Sequence, residues 1–384
     1  MNIGFDAKRA FHNLTGLGHY SRTLVHSLAK YYPGHQYYLF NPKRSTVFQF
    51  EEENIHEVLP DHFPATLFTA AWRSSWVKKD LKKLKIDLYH GLSHEIPIGI
   101  QKTNIRSVVT IHDLIHERYP EQYNTVDVKI YNKKFRYACK HADKVIAISE
   151  QTKQDILDFY KIPAEKVRVT YQSCHPSFGE LLSAAQKRVI QLKYELPAKF
   201  YLYVGSIIER KNLLNICKAI FILRNESSMP LVVIGEGGKY KQLVMDFIKQ
   251  NDLEKKVIFL SGRPSAKSSK TFQNGEDLPA IYQLATALIY PSFFEGFGIP
   301  ILEALWSGLP VITSNISSLP EVGGDAVCYI DPHSAAEIAE AMKKICNDQP
   351  FGNDLKQKGF QQAKKFSQEN CARAVMEVYK SLIA

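Results

Sequence analysis

The sequence predicts an α/β protein with two doubly wound parallel sheets, each in a domain of its own. Short apolar runs alternate with helical patterns along the chain, which is typical of parallel sheets covered by helices on both faces. The chain has 384 residues, more than one hydrophobic core usually organises. Two domains of about 200 residues each are therefore expected.

The first half begins with a strand at residues 3–6, then a loop and a helix over 18–32. Apolar runs of strand length predict five more strands, at residues 36–40, 86–90, 108–112, 144–149 and 167–171. Ligands on such sheets bind beyond the carboxyl ends of the strands. The loops that follow strands are therefore the candidate binding segments.

The second half repeats this alternation of strands and helices. Strands are predicted at residues 200–205, 231–236, 256–262, 287–290, 311–314 and 327–330, and helices at 213–224, 277–285, 335–347, 354–365 and 368–383. Residues 264–276 are rich in Ser, Lys and Gly and are predicted to form a long mobile loop. This loop either closes over a ligand or is inert, and the composition favours the second.

The composition is that of an ordinary soluble protein, 45% hydrophobic and 23% charged. Six cysteines without C-x-x-C spacing indicate reduced thiols, and no apolar run approaches the length of a membrane span, so a cytoplasmic protein is expected. The formal net charge of +10 favours an anionic partner. Nucleotide phosphates, a lipid-linked acceptor or an acidic membrane fit this charge better than nucleic acid, because no nucleic-acid motif accompanies it.

The most informative segment is the strand, loop and short helix over residues 287–308. The loop carries Gly296 and Gly298, whose backbone N–H groups can approach a ligand closely, and Pro300 suits the first position of the helix. The positive end of that helix makes the loop a phosphate site. Glu295 and Glu303 frame the loop. They either complement the helix dipole or accept hydrogen bonds from paired hydroxyl groups of a sugar or ribose.

The stretch between these carboxylates, with Gly296, Phe297, Gly298 and Ile299, resembles the signature of retaining glycosyltransferases of family 4, which have the GT-B fold. The resemblance implies two Rossmann-like domains facing across a cleft. Residues 1–178 would form the acceptor side, 179–366 the nucleotide-sugar side, and 367–384 a helix that returns to the first domain. It also implies that Glu295 lies beside the donor sugar and that Glu303 holds the ribose.

Arg210 and Lys211 follow the strand at 200–205 and precede a helix. Cations at a helix start oppose its dipole, so these two side chains need a compensating anion. The alternative is that they are simply exposed charges. In the family, the matching residues grip the donor pyrophosphate and neutralise the leaving group.

Three residues of the first half are further candidates for the site. Gly16 and Gly18 precede or open the first long helix, and they provide either ordinary turn chemistry or a backbone cradle for the donor pyrophosphate. The resemblance carries both over, with Gly16 the better candidate. His112 follows a strand, and the resemblance places the corresponding histidine against the donor sugar. Ser149, after the next strand, is predicted to be a structural N-cap.

Two other patterns allow a structural and a functional interpretation. Residues 64–85 combine tryptophans with many lysines, which fits a solvated helix with a buried aromatic stripe or a surface for anionic lipid. The pairs His90/His94 and His112/His116 have i, i+4 spacing, but both begin at strand ends and lack cysteine ligands nearby, so no metal site is predicted.

The predicted reaction is transfer of a hexose from a nucleotide sugar to a glycan or lipid-linked hydroxyl, with retention of configuration. No Asp-x-Asp occurs, so fixed cations rather than a metal ion would stabilise the leaving diphosphate, and no cofactor is expected. The segment Ile111–Leu114 together with the Glu295 motif looks most like bacterial mannosyltransferases of surface polysaccharide assembly. The resemblance therefore implies GDP-mannose first and a UDP-hexose second.

Two other classes compete with this interpretation. An NAD-dependent dehydrogenase needs Gly-x-Gly-x-x-Gly after the first strand, but Ser21 stands where the third glycine is required. A non-catalytic nucleotide-sugar-binding protein on the same scaffold is the other alternative. Activity on an added acceptor distinguishes it from the enzyme.

Overall fold

The computed structural model describes residues 1–45, 48–226 and 229–383. The chain divides into two compact units, one comprising Met1–Cys174 with Phe366–Ala384 and the other His175–Lys365. The divisions lie within four residues of the predicted positions after residues 178 and 366. Each unit contains one parallel sheet, so the predicted fold class is confirmed.

The sheet of the first unit has seven strands, all paired in parallel. They are β1 (Asn2–Asp6), β2 (Gln36–Phe40), β3 (Ile55–Val58), β4 (Leu88–Gly91), β5 (Arg106–Ile111), β6 (Lys144–Ala147) and β7 (Val167–Val169). Their order in the sheet is β3-β2-β1-β4-β5-β6-β7. Strands β1 and β4 lie at the centre and are almost entirely buried, as expected for a sheet covered on both faces.

The helices of the first unit follow the strands in the expected alternation. They are α1 (Lys8–His12), α2 (Gly16–Tyr31), α3 (Thr69–Ala71), α4 (Lys78–Lys83), α5 (Ile115–Arg118), α6 (Thr125–His141) and α7 (Glu150–Tyr160). Short 3₁₀ turns occupy Ile100–Lys102, Pro120–Gln122 and Ala164–Lys166. None of the helices in the described part of the chain is long and apolar enough to cross a bilayer.

The second unit has a six-stranded parallel sheet in the order β10-β9-β8-β11-β12-β13. These strands are β8 (Tyr201–Val204), β9 (Leu231–Ile234), β10 (Val257–Phe259), β11 (Ala287–Tyr290), β12 (Val311–Ser314) and β13 (Cys328–Ile330). Its helices are α8 (Ala184–Lys193), α9 (Leu213–Ile222), α10 (Lys239–Gln250), α11 (Pro264–Lys267), α12 (Lys270–Gln273), α13 (Leu278–Leu284), α14 (Ile299–Trp306), α15 (Leu319–Gly323), α16 (Ala335–Asn347) and α17 (Gln349–Lys364). Three 3₁₀ turns occupy Pro176–Gly179, Glu209–Lys211 and Leu260–Gly262.

The last helix, α18 (Gln368–Ile383), belongs to the first unit and packs against α2. Its Tyr379 is fully buried, and the phenol oxygen lies 2.6 Å from Nδ1 of His90 on β4. The other ring nitrogen of His90 lies 2.8 Å from Oγ1 of Thr110. A buried polar network of this kind fixes one arrangement of the helix on the sheet, because each buried polar group needs its partner.

The structure differs from the predictions in several segments. Residues 64–85 do not form one helix, because α3 passes into a π-helical turn at Trp72–Trp76 before α4 begins. Residues 264–276 are not a mobile loop but contain α11 and α12, the second of them capped by the Ser269 side chain. Strand β3 and helices α1, α8 and α10 were not predicted. Helix α8 begins with a capping box between Ser183 and Gln186.

Candidate active site

The carboxyl ends of two neighbouring strands position the central residues of the site. Strands β8 and β11 pair in parallel, so the segments that follow them leave the same edge of the sheet. The 3₁₀ turn at Glu209–Lys211 follows β8, and the loop before α14 follows β11. The backbone N–H of Phe293 donates to the carbonyl of Arg210 at 2.8 Å, which ties the two segments together.

This arrangement brings Arg210, Lys211 and Glu295 into one buried cluster. Oε1 of Glu295 lies 2.8 Å from Nζ of Lys211 and 3.0 Å from Nη1 of Arg210. The Lys211 ammonium also donates to the phenol oxygen of Tyr290 at 2.5 Å and lies 4.7 Å from the centre of that ring. The Arg210 guanidinium donates in addition to the carbonyl of Phe294. The three predicted residues therefore meet, and the anion that the two cations need is in part a carboxylate of the protein itself.

The electrostatics of the cluster keep Glu295 ionised. Burial acts to raise the pKa of its carboxyl, but the charges of Lys211 and Arg210 outweigh burial and hold the pKa at about 2. Its side chain is only 10% exposed. Two cations against one carboxylate leave a net positive charge in a site of low dielectric, which is suited to a second anion.

Hydrogen bonds to Ser317 and Ser318 hold the backbone of the glycine loop. The hydroxyl of Ser318 lies 2.9 Å from the carbonyl oxygens of both Glu295 and Phe297, and the N–H of Glu295 donates to the Ser317 hydroxyl at 3.1 Å. Gly298 has φ of +113°, where a side chain would be strained, and a Cβ there would come within 3.1 Å of Leu319. The loop is thus a rigid backbone segment rather than a flexible one.

Helix α14 begins at Ile299, one residue before the predicted start at Pro300. Of the motif residues, Gly296, Phe297 and Gly298 are buried, and Ile299 is partly exposed.

Glu303, one turn into α14, does not join the Arg210 and Lys211 cluster. Its carboxyl Oε2 accepts a hydrogen bond from the Tyr282 hydroxyl at 2.7 Å. Burial raises the pKa of Glu303 to about 7, and the Tyr282 hydrogen bond opposes that rise only in part. The two motif carboxylates therefore differ in charge state, since Glu295 is fully ionised near neutral pH and Glu303 is near its titration midpoint.

His112 lies directly after β5 in the first unit and is buried. Its Nε2 lies 2.8 Å from the carbonyl of Leu92, and its ring meets the Tyr20 ring edge to face at 4.6 Å. Burial lowers its pKa to about 4, so the imidazole is neutral at pH 7. The backbone carbonyl of His112 accepts a hydrogen bond from Thr152 at 3.3 Å.

The two glycines of the first unit have different surroundings. Gly16 is the first residue of α2, is exposed, and has open space where a Cβ would stand. A Cβ on Gly18 would lie 1.8 Å from the carbonyl oxygen of Asn13, so Gly18 is required by the packing of its own loop. Ser149 caps α7 through the N–H of Thr152, as predicted.

The histidine pairs do not form a metal site in the described residues. Among residues 1–45, 48–226 and 229–383, the one group with ligand atoms close enough together is Asp61, His62 and Asp80. Asp61 also lies 3.4 Å from Nζ of Lys83, and Asp80 accepts from the Trp72 indole at 2.6 Å. Their existing partners account for this group without an ion.

Several residues of the site were not found from the sequence. They are Asn212, whose amide donates to the carbonyls of Pro291 and Pro332, and Tyr282, Tyr290, Ser317 and Ser318. Their position in the sequence could have identified them as candidates, because each lies at or after a strand of the second sheet or in a helix beside the motif. Which of them reach the motif depends on the register of the sheet.

The two halves of the chain match two family models. Residues 14–177 match the model described as Glycosyltransferase Family 4, and residues 187–362 match the model described as Glycosyl transferases group 1. The chain is 29% identical over 399 residues to O-antigen chain mannosyltransferase B of Escherichia coli, with 100% of both chains covered. It is 28% identical over 308 residues to the serotype-specific mannosyltransferase WbdA of Escherichia coli, covering 78% of this chain and 36% of that protein.

Solved structures show the same fold at low sequence identity. A glycosyltransferase from Rickettsia africae has a TM-score of 0.75 and 19% identity, covering 100% of this chain and 98% of that chain. HepE of Anabaena, solved in complex with UDP-glucose, has a TM-score of 0.71 and 15% identity, covering 99% of this chain and 100% of that chain. The first half of the chain is therefore a Glycosyltransferase Family 4 domain and the second half a Glycosyl transferases group 1 domain, and the protein is a glycosyltransferase with the GT-B fold.

Proposed function

We propose that this glycosyltransferase moves a hexose from a nucleoside diphosphate sugar to a hydroxyl of a glycan or lipid-linked acceptor in surface polysaccharide assembly. Mannose is the first candidate for that hexose. The observation that carries the proposal is the buried cluster of Arg210, Lys211 and Glu295. Two cations beside a rigid glycine loop can bind a diphosphate, and the carboxylate between them can accept hydrogen bonds from sugar hydroxyls.

The names of the relatives favour mannose as the transferred sugar. The full-length relative from Escherichia coli is named as a mannosyltransferase of the O-antigen chain, and so is a Salmonella typhimurium protein that is 28% identical over 66% of this chain. The Anabaena neighbour was solved with UDP-glucose, which keeps a UDP-hexose as the second choice of donor. GDP-mannose is therefore the donor to test first.

The mechanism we infer is metal-independent and retains the anomeric configuration. Arg210 and Lys211 would stabilise the departing diphosphate, as fixed positive charges at the point where negative charge develops. Glu295, ionised because its pKa is about 2, would position the sugar and stabilise positive charge at the anomeric carbon. The acceptor hydroxyl would attack on the face from which the diphosphate leaves, and that diphosphate would take the proton.

The decisive experiment combines a binding panel with a transfer assay. GDP-mannose, UDP-glucose, UDP-galactose, UDP-GlcNAc, ADP-glucose and NADH are compared by thermal shift without metal, and a ligand at 100 times its Kd adds about 2.7 kcal/mol of stability. We expect GDP-mannose to respond, and transfer to an added acceptor to continue in EDTA with an α-linked product by NMR. Loss of transfer in EDTA with recovery in Mg²⁺ would show that the role given to Arg210 and Lys211 is wrong.

We also propose that the first unit contacts anionic membrane. Phe63 and Leu67 are 81% and 69% exposed, and the nearby Lys79, Lys82 and Lys83 are exposed as well. Apolar and basic side chains together are typical of surfaces that bind anionic lipid. The buried Trp72 does not take part, because it packs in the core and donates to Asp80.

The protein is expected to co-sediment with vesicles of anionic phospholipid at low salt and to dissociate at high salt. The matched variant is Lys82→Glu/Lys83→Glu, which reverses two charges that make no buried contact and is expected to remove binding. Wild-type protein that stays in the supernatant at low salt would eliminate this proposal.

A further inference from the structure

The hydrogen bond between Tyr282 and Glu303 has a role that the motif itself does not account for. Tyr282 is fully buried in α13, and its hydroxyl lies 2.7 Å from Oε2 of Glu303. The Glu303 residue is half-buried, whereas Tyr282 is fully enclosed. A tyrosine hydroxyl that occupies one lone pair of Oε2 leaves the lone pairs of Oε1 for a ligand.

The turn at Pro176–Gly179 contacts the Tyr282 ring through Phe178. Phe178 is buried and meets the Tyr282 ring edge to face, with ring centres 5.2 Å apart. The same turn is fixed to α14, because the Ser307 hydroxyl lies 3.3 Å from the carbonyl of Phe178. A Cβ on Gly179 would come within 3.2 Å of the Trp306 ring, so the turn lies close against the helix.

We propose that Tyr282 is a positioning residue for donor binding: its hydroxyl, held in place by Phe178, orients the Glu303 carboxylate toward the two ribose hydroxyls of the nucleotide. The inference rests on the proposed function and on the ribose-holding role that the family resemblance implies for Glu303. A carboxylate with one oxygen fixed can accept both hydroxyls without first losing its own side-chain freedom. Such a site distinguishes a ribonucleotide from its 2′-deoxy form, because the missing hydroxyl leaves an acceptor unpaired.

The charge state of Glu303 gives a second readout. Burial raises its pKa to about 7, and the hydrogen bond from Tyr282 opposes that rise. The ionised carboxylate is the stronger acceptor of hydroxyl hydrogen bonds, so nucleotide affinity should rise with pH through about 7. The Tyr282 hydroxyl stabilises the ionised form. Removal of that hydroxyl should therefore move the midpoint of the pH dependence upward.

The test compares Tyr282→Phe with wild type and with Glu303→Gln, by calorimetric titration with GDP and UDP and their 2′-deoxy forms between pH 6 and pH 8.5. For Tyr282→Phe we expect ribonucleotide affinity at pH 7 to fall about tenfold, the size of one hydrogen bond to a charged group. We also expect the preference for ribose over deoxyribose to shrink and kcat at saturating donor to stay near wild type. Glu303→Gln should keep only the pH dependence that comes from titration of the nucleotide's own terminal phosphate.

The outcomes separate this inference from the proposed function. If Glu303→Gln loses affinity and the Glu303 part of the pH dependence while Tyr282→Phe keeps the wild-type midpoint and ribose preference, Tyr282 has no positioning role and the proposed function stands. If Glu303→Gln binds as wild type does, this inference is overturned and the proposed function stands. If wild type binds neither nucleotide, both are overturned. Phe178→Leu keeps the Tyr282 hydroxyl but loosens its ring, and it should show the same shifts at smaller size even if Tyr282→Phe folds poorly.

Discussion

Replacement of Glu295 by Gln is expected to reduce transfer by about 10²- to 10³-fold and to destabilise the second unit by roughly 3 kcal/mol. The loss of stability follows from the cluster, because a neutral amide leaves the buried charges of Arg210 and Lys211 without their carboxylate. The loss of transfer follows because no anion then stabilises charge at the sugar. Free energies of unfolding from urea titration and steady-state rates measure the two effects.

A nucleoside diphosphate should rescue the stability of this variant. The diphosphate supplies the missing negative charge, so its binding should be at least as tight as in wild type while catalysis stays low. The matched control is Glu226→Gln, which removes a carboxylate that pairs with Lys343 at 2.6 Å on the surface. That control should transfer at the wild-type rate. A Glu295→Gln protein with wild-type stability and rate would contradict both parts of the prediction.

Lys211→Met is expected to lower kcat by about 10²- to 10³-fold with a smaller effect on stability. Met keeps most of the apolar volume beside the Tyr290 ring, so packing is largely conserved, but the cation that faces Glu295 is lost. Arg210 still pairs with Glu295, which limits the cost in folding. Single-turnover rates with the donor identified by the panel measure the effect on the bond-breaking step.

The matched control for Lys211→Met is Lys343→Met, which removes a lysine paired with Glu226 outside the site. It should leave the rate unchanged. The pKa of Glu295 should also rise in Lys211→Met, since the lysine charge is the larger of the two that lower it. Equal single-turnover rates for Lys211→Met and Lys343→Met would remove Lys211 from the proposed mechanism.

The sequence was sufficient for the fold class and for placing Arg210, Lys211 and Glu295 in segments that follow strands, but it did not predict that the two cations pair with Glu295. Apolar runs such as β9, which is Leu-Val-Val-Ile, can be recognised as strands in the sequence, because a strand buried on both faces needs no polar residues. Segments that follow parallel strands share one edge of the sheet, but the pairing of β8 with β11, which brings these residues together, comes from the strand order of the structure. The ligand roles of these residues, and of His112, Gly16, Gly18 and Glu303, stay predictions.

The structural features that the sequence did not predict depend on tertiary contacts, which the hydrophobic periodicity of the sequence does not reveal. Residues 72–76 have a helical pattern, but they form a π-helical turn that places Trp72 beside Asp80 and Arg73 beside Asp6. Tyr282 lies in a helix of ordinary apolar character, and only the packing of α13 against α14 places its hydroxyl on Glu303. Lysine and serine content between residues 264 and 276 predicted a loop, whereas local capping by Ser269 was enough to form a helical turn.

The place of α18 in the first unit has a consequence for synthesis on the ribosome. The first 174 residues leave the ribosome early, but the helix that carries Tyr379 is translated only after the whole second unit. Until then His90 lacks its phenol partner and the face of α2 that α18 covers is open to solvent. The unit that is translated first is therefore completed last. While about 200 further residues are translated, the nascent chain exposes the apolar surface that α18 later covers. We expect the need for chaperones to be greatest in this period.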